Sequence, residues 1–247
     1  KVRTNSQQVN QITGAIVTGS DLNLSPLFSS NGLVGYWKFD EGQGTSTQDS
    51  SGNGNTGTLS ASPPGWVSGK VGDALQFNGS TNNVAMANNI TLNSNFTISF
   101  WFDPTANAGG YDCHRPQIIS KHSSSACTTD SWGVGYSYHA TSGYYDKKIT
   151  VNWGNGTNWN TFLSSQQIPQ NKWTYVVWVM NSGVSYLYIN GVLDSTVSTP
   201  NMVLSNSYTL LFGKVENIYY TGLSDDIRIY NRALSAAEIS ALYNATK

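Results

Sequence analysis

The chain has 247 residues and a formal net charge of -1, and only 11% of its residues are charged, against a usual value of about 25%. This length is compatible with one large β domain, and a charge so near zero gives no electrostatic reason to expect a nucleic-acid partner. No apolar run approaches the ~20 residues of a membrane span.

The first 31 residues differ from the rest of the chain. Four apolar residues fall near helical spacing among polar ones, which predicts a weak amphipathic helix within a leader at 1–31. They are Val2, Val9, Ile12 and Ile16. A frayed leader is the alternative. The opening Lys1-Val-Arg-Thr-Asn-Ser-Gln-Gln resembles the soluble part of a type IV pilin helix that has lost its hydrophobic anchor. That resemblance implies a pilus-borne or surface-anchored adhesin, with pilus subunits as partners, and a start at Lys1 suggests a mature or trimmed form.

From Val34 onward, short segments rich in aromatic and β-branched residues alternate with Gly and Asn turns, which predicts an all-β, antiparallel β-sandwich. Two of them, Phe96 to Phe102 and Trp173 to Val179, are apolar on both faces and should lie centrally in their sheets. Asn190-Gly191 predicts a tight hairpin. The predicted strands are 34–39, 74–78, 83–87, 96–103, 117–120, 132–137, 148–153, 173–180, 185–189, 208–213 and 225–230.

Cys113 and Cys127, the two cysteines, bracket a polar loop. A pair this close in a chain without other cysteines predicts a disulfide rather than a metal site, and the closed loop would contribute roughly 3 kcal/mol in the chain-entropy model. Two free thiols are the alternative. A disulfide would imply an oxidising compartment.

The final strand alternates, so that Ile227 and Ile229 should face the core. The same parity turns Asp225 inward and leaves Asp226 outward beside Arg228, unless a β-bulge intervenes. A buried carboxylate at position 225 needs a cation, a metal ion or several hydrogen-bond donors.

A capping box follows this strand. Ser235-Ala-Ala-Glu238 places a serine three residues before a glutamate, which predicts the start of a short C-terminal helix. Ile239 and Leu242 should form the apolar face of that helix.

The closing segment Asp225-Asp-Ile-Arg-Ile-Tyr-Asn-Arg-Ala-Leu-Ser-Ala-Ala-Glu-Ile resembles that of laminin-G-like jelly rolls in the concanavalin A-like lectin and glucanase superfamily. Six further pieces match in order. They are Gly35-Tyr-Trp-Lys-Phe-Asp-Glu-Gly, Asp49-Ser-Ser-Gly-Asn-Gly, Ala74-Leu-Gln-Phe-Asn-Gly, Phe96-Thr-Ile-Ser-Phe-Trp, Trp173-Thr-Tyr-Val-Val and Leu187-Tyr-Ile-Asn-Gly. The resemblance covers about residues 32 to 244. It implies one jelly-roll lectin domain at 32–247 in which the first and last strands pair.

Pairing of those strands would bring Asp40 and Asp225 together, and the superfamily often carries structural calcium in this region. Asp49, in a Gly-rich loop, could complete a set of oxygen ligands of the kind that Ca²⁺ prefers. The alternative is that Asp49 caps its own turn and that Asp225 pairs with Arg228 or Lys38.

Four stretches combine aromatic rings with amide or charged groups, a mixture suited to sugar hydroxyls and apolar sugar faces. The alternative is that half of these rings pack in the core or within loops. The candidate ligand-binding residues are Tyr111, His114, Arg115, Tyr138, Tyr144, Tyr145, Trp153, Asn158, Trp159, Asn217, Tyr219 and Tyr220.

Catalysis is not expected. The Glu-x-Asp-x-x-Glu strand motif of the superfamily's hydrolases is missing from this sequence, and glutamate occurs only at 41, 216 and 238. We therefore expect an extracellular lectin-like adhesion module, secreted or on the cell surface, that binds glycans without cleaving them. A protein-binding module and a polysaccharide hydrolase or lyase are the alternatives.

Overall fold

The structure, a computed structural model, describes residues 10–12, 15–17, 30–88, 90–105, 115–122, 129–137, 147–199, 201–204 and 206–247, the first two ranges as backbone. Its strands, numbered in chain order, are β1 (Asn10–Ile12), β2 (Ala15–Val17), β3 (Leu33–Trp37), β4 (Ser46–Thr47), β5 (Gly57–Leu59), β6 (Gly65–Ser68), β7 (Asp73–Asn78), β8 (Val84–Met86), β9 (Asn95–Pro104), β10 (Gln117–Lys121), β11 (Trp132–Ser137), β12 (Lys148–Gly154), β13 (Trp159–Leu163), β14 (Thr174–Asn181), β15 (Val184–Ile189), β16 (Val192–Ser198), β17 (Leu210–Phe212), β18 (Lys214–Val215), β19 (Ile218–Tyr219) and β20 (Thr221–Tyr230). One helix, α1 (Ala236–Thr246), follows.

Two antiparallel sheets make up the sandwich, each of eight strands in the described part of the chain. Sheet 1 has the order β16-β15-β14-β9-β20-β7-β6, with β3 also paired to β20, and sheet 2 has the order β13-β12-β11-β10-β17-β8-β5-β4. The predicted all-β sandwich is confirmed. Strands β9 and β14, apolar on both faces, lie in the middle of sheet 1 as predicted.

The main core fills the space between the sheets. It is rich in aromatic rings, and Phe96 packs edge to face against Trp178 with ring centroids 4.7 Å apart. A second apolar cluster lies on the other face of sheet 1, where Trp101 and Tyr175 meet residues of α1. The central strands of sheet 1 are therefore covered on both faces.

Helix α1 begins as predicted. The Ser235 side chain accepts from the Glu238 backbone N–H, and the Glu238 carboxylate accepts from the Ser235 backbone N–H at 2.8 Å. Ile239 and Leu242 are buried against sheet 1. A serine cap of this kind contributes typically ~1 kcal/mol.

The last strand, β20, pairs with the first strand of the sandwich, β3, and also with β7 and β9. Ile227 lies opposite Trp37 in the pairing with β3. This pairing, which the resemblance implied, places the first and last strands of the sandwich side by side in sheet 1.

A β-bulge interrupts β20 at Asp226, whose φ is +56°, and the register against β9 shifts between Asp225 and Arg228. Ile227 faces the main core as predicted. Asp225 instead lies opposite Trp101, a residue of the cluster beneath α1, and directly opposed residues share a face. The β-bulge is the exception named for the inward parity of Asp225, and because it adds one residue it turns Asp225 to the face that α1 covers.

Asp226 is buried rather than exposed, and its partner is Arg228. Their nearest nitrogen and oxygen are 2.8 Å apart. The Tyr36 hydroxyl donates to Asp226 at 2.6 Å and accepts from Arg228 at 2.7 Å. This triad of Tyr36, Asp226 and Arg228 joins the bulge of the last strand to the first.

Asn190 and Gly191 form the predicted two-residue hairpin between β15 and β16, with φ of +52° and +79°. The amphipathic helix predicted within residues 1–31 is wrong at the N-terminal residues that the structure describes, 10–12 and 15–17. Strands β1 and β2 pair as a hairpin, so Ile12 and Ile16 lie on strands and not on a helix. Their β-branched side chains fit a strand better than a short helix lacking a strong cap. Within the described residues, no helix has the length and apolar character needed to cross a membrane.

Replacement of Asp226 by Asn tests the triad. This substitution keeps a residue that tolerates positive φ but leaves the buried Arg228 charge without a counter-ion, so the free energy of unfolding should fall by about 3 to 5 kcal/mol in urea titrations. The double variant Asp226→Asn/Arg228→Met should recover much of the loss. A single variant within about 0.5 kcal/mol of the parent protein would contradict this account.

The second prediction concerns Lys121, a buried residue whose ammonium donates to the Ile90 carbonyl at 2.8 Å. Burial lowers the pKa of Lys121 to about 8, so between pH 8 and 9.5 the unfolded chain binds more protons than the folded one. The unfolding free energy should rise over this window, by roughly 2 kcal/mol. The Lys121→Met variant should lack that rise, and parallel curves for the two proteins would count against it.

Candidate functional site

The outer face of sheet 2 carries a groove. Leu210 and Phe212 of β17 point into the main core, so the intervening Leu211 points outward and lies opposite Ala85 of β8. These two residues form the apolar floor of a cavity of about 640 Å³. Its described lining residues are Ala85, His122, Ser207, Tyr208, Thr209, Leu211, Lys214, Glu216 and Asn217.

One wall of the groove is the hairpin formed by β18 and β19. Glu216 sits in its turn with a φ of +52°, and Asn217 follows. The Lys214 ammonium, at the base of the hairpin, lies 5.0 Å from the centre of the Tyr219 ring. This hairpin therefore presents a cation, a carboxylate and an amide along one side of the cavity.

His122 and Tyr208 also line the groove. The His122 imidazole is 3.7 Å from the Glu216 carboxylate and meets the Trp159 ring edge to face, with centroids 5.4 Å apart. The Tyr208 hydroxyl donates to the Asp130 carboxylate at 2.8 Å. Polar groups thus surround a small apolar floor, an arrangement suited to a compact ligand with several hydroxyls.

Three residues proposed from the sequence lie at this groove. Asn217 lines it, Tyr219 contacts Lys214, and Trp159 contacts His122. Asn217 and Tyr219 belong to the β18–β19 hairpin, and Trp159 begins β13 of sheet 2, so the fold brings two segments distant in sequence to one region.

Other proposed residues occupy different positions. Trp153 packs in the main core. Tyr220 is 1% exposed and donates to the Leu223 carbonyl at 3.0 Å, and Arg115 is 2% exposed. We remove Trp153, Tyr220 and Arg115 from the ligand set because their side chains are buried. Asn158 lies in an exposed turn, where its N–H donates to the Asn155 side chain.

The remaining candidates lie outside the described residues. They are Tyr111, His114, Tyr138, Tyr144 and Tyr145, together with the cysteines of the predicted disulfide, Cys113 and Cys127.

Sequence reasoning missed His122, Tyr208 and Lys214 as groove residues. The alternation of Leu210, Leu211 and Phe212 does indicate that one residue of this strand faces away from the core. However, the turn at Glu216 and the pairing of β10 with β17 depend on long-range contacts that no local pattern reveals.

A second polar cluster lies where β3 and β20 meet the loop at 69–73. The Asp225 carboxylate is fully buried and accepts from the backbone N–H groups of Lys70 and Val71 at 2.9 and 2.8 Å. Its other oxygen has no hydrogen-bond partner. Burial raises the pKa of Asp225 to about 7; the N–H of Val71 opposes this effect, and the Asp226 and Asp40 carboxylates add to it.

Asp40 approaches the same loop from the end of β3, and its carboxylate accepts from the Asp73 N–H at 3.0 Å. Glycine at 69 permits the approach on the Asp225 side, because a Cβ there would lie 2.7 Å from the Asp225 carboxylate. The predicted proximity of Asp40 and Asp225 therefore has a structural basis in this loop.

Asp49 does not join them. One of its carboxylate oxygens accepts from the N–H groups of Tyr36 and Ser51, and the other accepts from that of Asn55. Burial opposes ionisation of Asp49, but a hydrogen bond from the Ser51 side chain, followed by those from the backbone N–H groups of Asn55, Ser51 and Tyr36, lowers its pKa. Asp49 thus organises its own loop, as the turn-capping alternative describes.

Neither cation proposed as a partner for Asp225 is placed as expected, since Arg228 pairs with Asp226 and the Lys38 ammonium lies over the Tyr36 ring. No group of three or more His, Cys, Asp or Glu among the described residues is arranged to hold a metal ion. Calcium at Asp40 and Asp225 would therefore need backbone carbonyl oxygens as additional ligands.

The two packed eight-stranded antiparallel sheets place the protein in the class of β-sandwich proteins. Residues 78–240 match the Laminin_G_3 family of the concanavalin A-like lectin/glucanases superfamily. The match spans well over half of the sequence, and the chain belongs to this family. No match was found among curated proteins.

Solved structures with the same fold include the fourth domain of a GH43 extracellular arabinanase from Geobacillus stearothermophilus, in complex with arabinotriose. It has 19% identity and a TM-score of 0.68, and the match covers 85% of this chain and 98% of that one. The binding domain of Paraclostridial Mosquitocidal Protein 1 gives 19% identity and a TM-score of 0.69, with 88% and 53% covered.

The binding domain of Botulinum Neurotoxin DC in complex with SialylT gives 16% identity and a TM-score of 0.63, with 88% and 52% covered. This chain spans about half the length of the two toxin binding domains. At these identities the likeness establishes a shared fold.

Proposed function

We propose that this protein is an extracellular glycan-binding module that acts in adhesion and does not cleave its ligand. The observation that carries the proposal is the groove on sheet 2, where Asn217, Glu216 and His122 surround a floor of Leu211 and Ala85. An amide and a carboxylate can each hydrogen-bond sugar hydroxyls, and a small apolar floor can contact the C–H face of a sugar ring.

Two of the structures with this fold support a carbohydrate ligand, because one is a complex with arabinotriose and the other a complex with SialylT. The few acidic side chains of the groove favour binding without catalysis. Glycoside hydrolysis generally needs two carboxyl groups on either side of the scissile bond, and Glu216 is the single acidic residue among the described groove-lining residues.

A shallow site of this kind would bind one sugar with modest affinity, in the micromolar to millimolar range, for which about 4 to 8 kcal/mol suffices. Display of many copies on a surface would raise the effective affinity. We extend the proposal to a secreted or surface location and to attachment through residues 1–31 to pilus subunits. An apolar helix encoded directly upstream of Lys1 would support the pilus attachment.

We also propose a structural calcium ion at the junction of β3 and β20. Asp40 and Asp225 would be its carboxylate ligands, because the unpartnered Asp225 oxygen is buried and both side chains converge on loop 69–73. The ion would neutralise the carboxylates and fix the loop against the closing strand. Asp49 is left out, since its oxygens already accept backbone hydrogen bonds.

Replacement of Asn217 by Ala tests the glycan site. On a glycan array followed by calorimetry with a glycan that binds, the variant should bind at least about tenfold more weakly, equivalent to ~1.4 kcal/mol. Asn244→Ala, at an exposed position of helix α1, is the matched control and should bind like the parent protein.

Other outcomes point to other functions. A silent array combined with capture of a specific protein would favour the protein-binding alternative. Release of products from polysaccharides, lost on replacement of Glu216, would favour a hydrolase or lyase.

The calcium proposal predicts a response to chelation. Excess EDTA should lower the melting temperature by roughly 5 to 10 °C relative to saturating calcium, the shift expected for a ligand at about 100 times its Kd in a domain of this size. Asp225→Asn should abolish the response, whereas Asp49→Asn should retain it. An unchanged melting temperature in EDTA would rule out the site.

A further inference from the structure

We infer that a buried water molecule is a permanent part of the junction between sheet 1 and helix α1, where it bridges the side chains of Ser99, Tyr175, Tyr230 and Arg228. The inference concerns the support of the closing strand and is independent of the proposed glycan-binding function. It follows from where these four side chains lie and from the hydrogen bonds that the described part of the chain offers them.

The four side chains lie on the face of sheet 1 that α1 covers. Ser99 of β9 is directly opposite Arg228 of β20 on one side and Val177 of β14 on the other. Tyr230 lies two residues beyond Arg228 on β20, and Tyr175 precedes Val177 by two residues on β14. Residues two apart on a strand share a face, so both tyrosines are diagonal neighbours of Ser99. The small serine side chain therefore leaves space between three long ones.

The polar ends of these side chains are buried. Ser99, Tyr175 and Tyr230 are 0% exposed, and Arg228 is 5% exposed. Among the described residues, no hydrogen-bond partner reaches the three hydroxyl groups or the Nε of Arg228. Buried hydroxyl and guanidinium groups are rarely left in this way, because each gives up its hydrogen bonds to water on burial.

The same groups are close to one another. Burial raises the pKa of Tyr175, and the Arg228 guanidinium and the Ser99 hydroxyl oppose the rise because they lie near its hydroxyl. Tyr230 interacts electrostatically with the same guanidinium and with Tyr175. Polar groups that approach one another without a direct hydrogen bond are the usual setting for a bridging water molecule.

Thr97, two residues before Ser99 on the same face of β9, has a hydroxyl whose hydrogen bonds are made by the protein. It donates to the Arg232 carbonyl at 2.9 Å and accepts from the Leu234 N–H at 2.9 Å. The chain thus satisfies a buried hydroxyl one row away from Ser99. At Ser99 itself, a water molecule would take the place of such protein groups.

Water fits this site better than an anion does. The charge of Arg228 is balanced by Asp226, with 2.8 Å between their nearest nitrogen and oxygen, so a buried anion would have no net positive charge to offset its desolvation. A water molecule forms up to about four hydrogen bonds, which these four side chains can supply. It can accept from the Nε–H of Arg228 and exchange hydrogen bonds with the hydroxyls without adding charge.

A high-resolution crystal structure of the parent protein, grown in bromide, tests the site directly. We expect a density peak within hydrogen-bond distance of the Ser99 hydroxyl and of at least two of the other three side chains, with no anomalous signal at the bromine edge. An anomalous signal there would identify a bound anion and overturn the inference. Hydroxyl groups bonded directly to one another, with no density between them, would overturn it as well.

Oxygen-17 relaxation dispersion tests the site in solution, because it counts the water molecules that stay bound for longer than the protein takes to tumble. Ser99→Val should lower this count by at least one, since it removes a hydroxyl and fills the space. Thr97→Val, in the neighbouring row, is the matched control and should keep the count of the parent protein.

Equal counts in Ser99→Val and the parent protein would contradict a bound water at this position. Should Ser99→Val fail to fold, the crystal structure of the parent protein still decides the question.

Discussion

The structure depends on one pairing, that of the last strand with the first. Strand β20 pairs with β3, β7 and β9. Sheet 1 is therefore incomplete until this last strand of the chain is in place. The triad of Tyr36, Asp226 and Arg228 fixes the position of the bulge in this pairing. Because these polar groups are buried and bonded to one another, a shift of register would leave charges without partners, at a high free-energy cost.

The two sheets consequently have different roles. The central strands of sheet 1 are buried on both faces, by the main core and by the cluster beneath α1, which leaves them little surface for a ligand. On sheet 2, the outward side chains of β8 and β17 form the floor of the groove. In the proposed function, the packed sheets would support a binding surface formed by short hairpins and loops, a common division of labour in proteins.

Local sequence patterns predicted much of the fold. Alternating and doubly apolar segments located the long strands, Ser235 and Glu238 located the helix, and Asn190-Gly191 located a hairpin, because each of these signals is contained in a few neighbouring residues. The bulge at Asp226 and short strands such as β4 and β18 could not be found in this way, since only their partners stabilise them. Residue type alone singles out Asn217, which lines the groove, and Tyr219 and Trp159, which contact its lining; their role in ligand binding stays a prediction. The burial of Trp153 and Tyr220 depends on which face of a strand meets the other sheet.

The contact between Trp159 and His122 gives the groove an intrinsic optical reporter. Trp37, Trp101, Trp132, Trp153 and Trp178 are buried in the two cores, where their emission should be insensitive to events at the surface. Trp66, Trp159 and Trp173 are partly exposed, and of these Trp159 packs against His122 of the cavity lining. A sugar entering the cavity would alter the solvent and the imidazole next to this indole, so occupancy becomes readable as fluorescence without an attached dye.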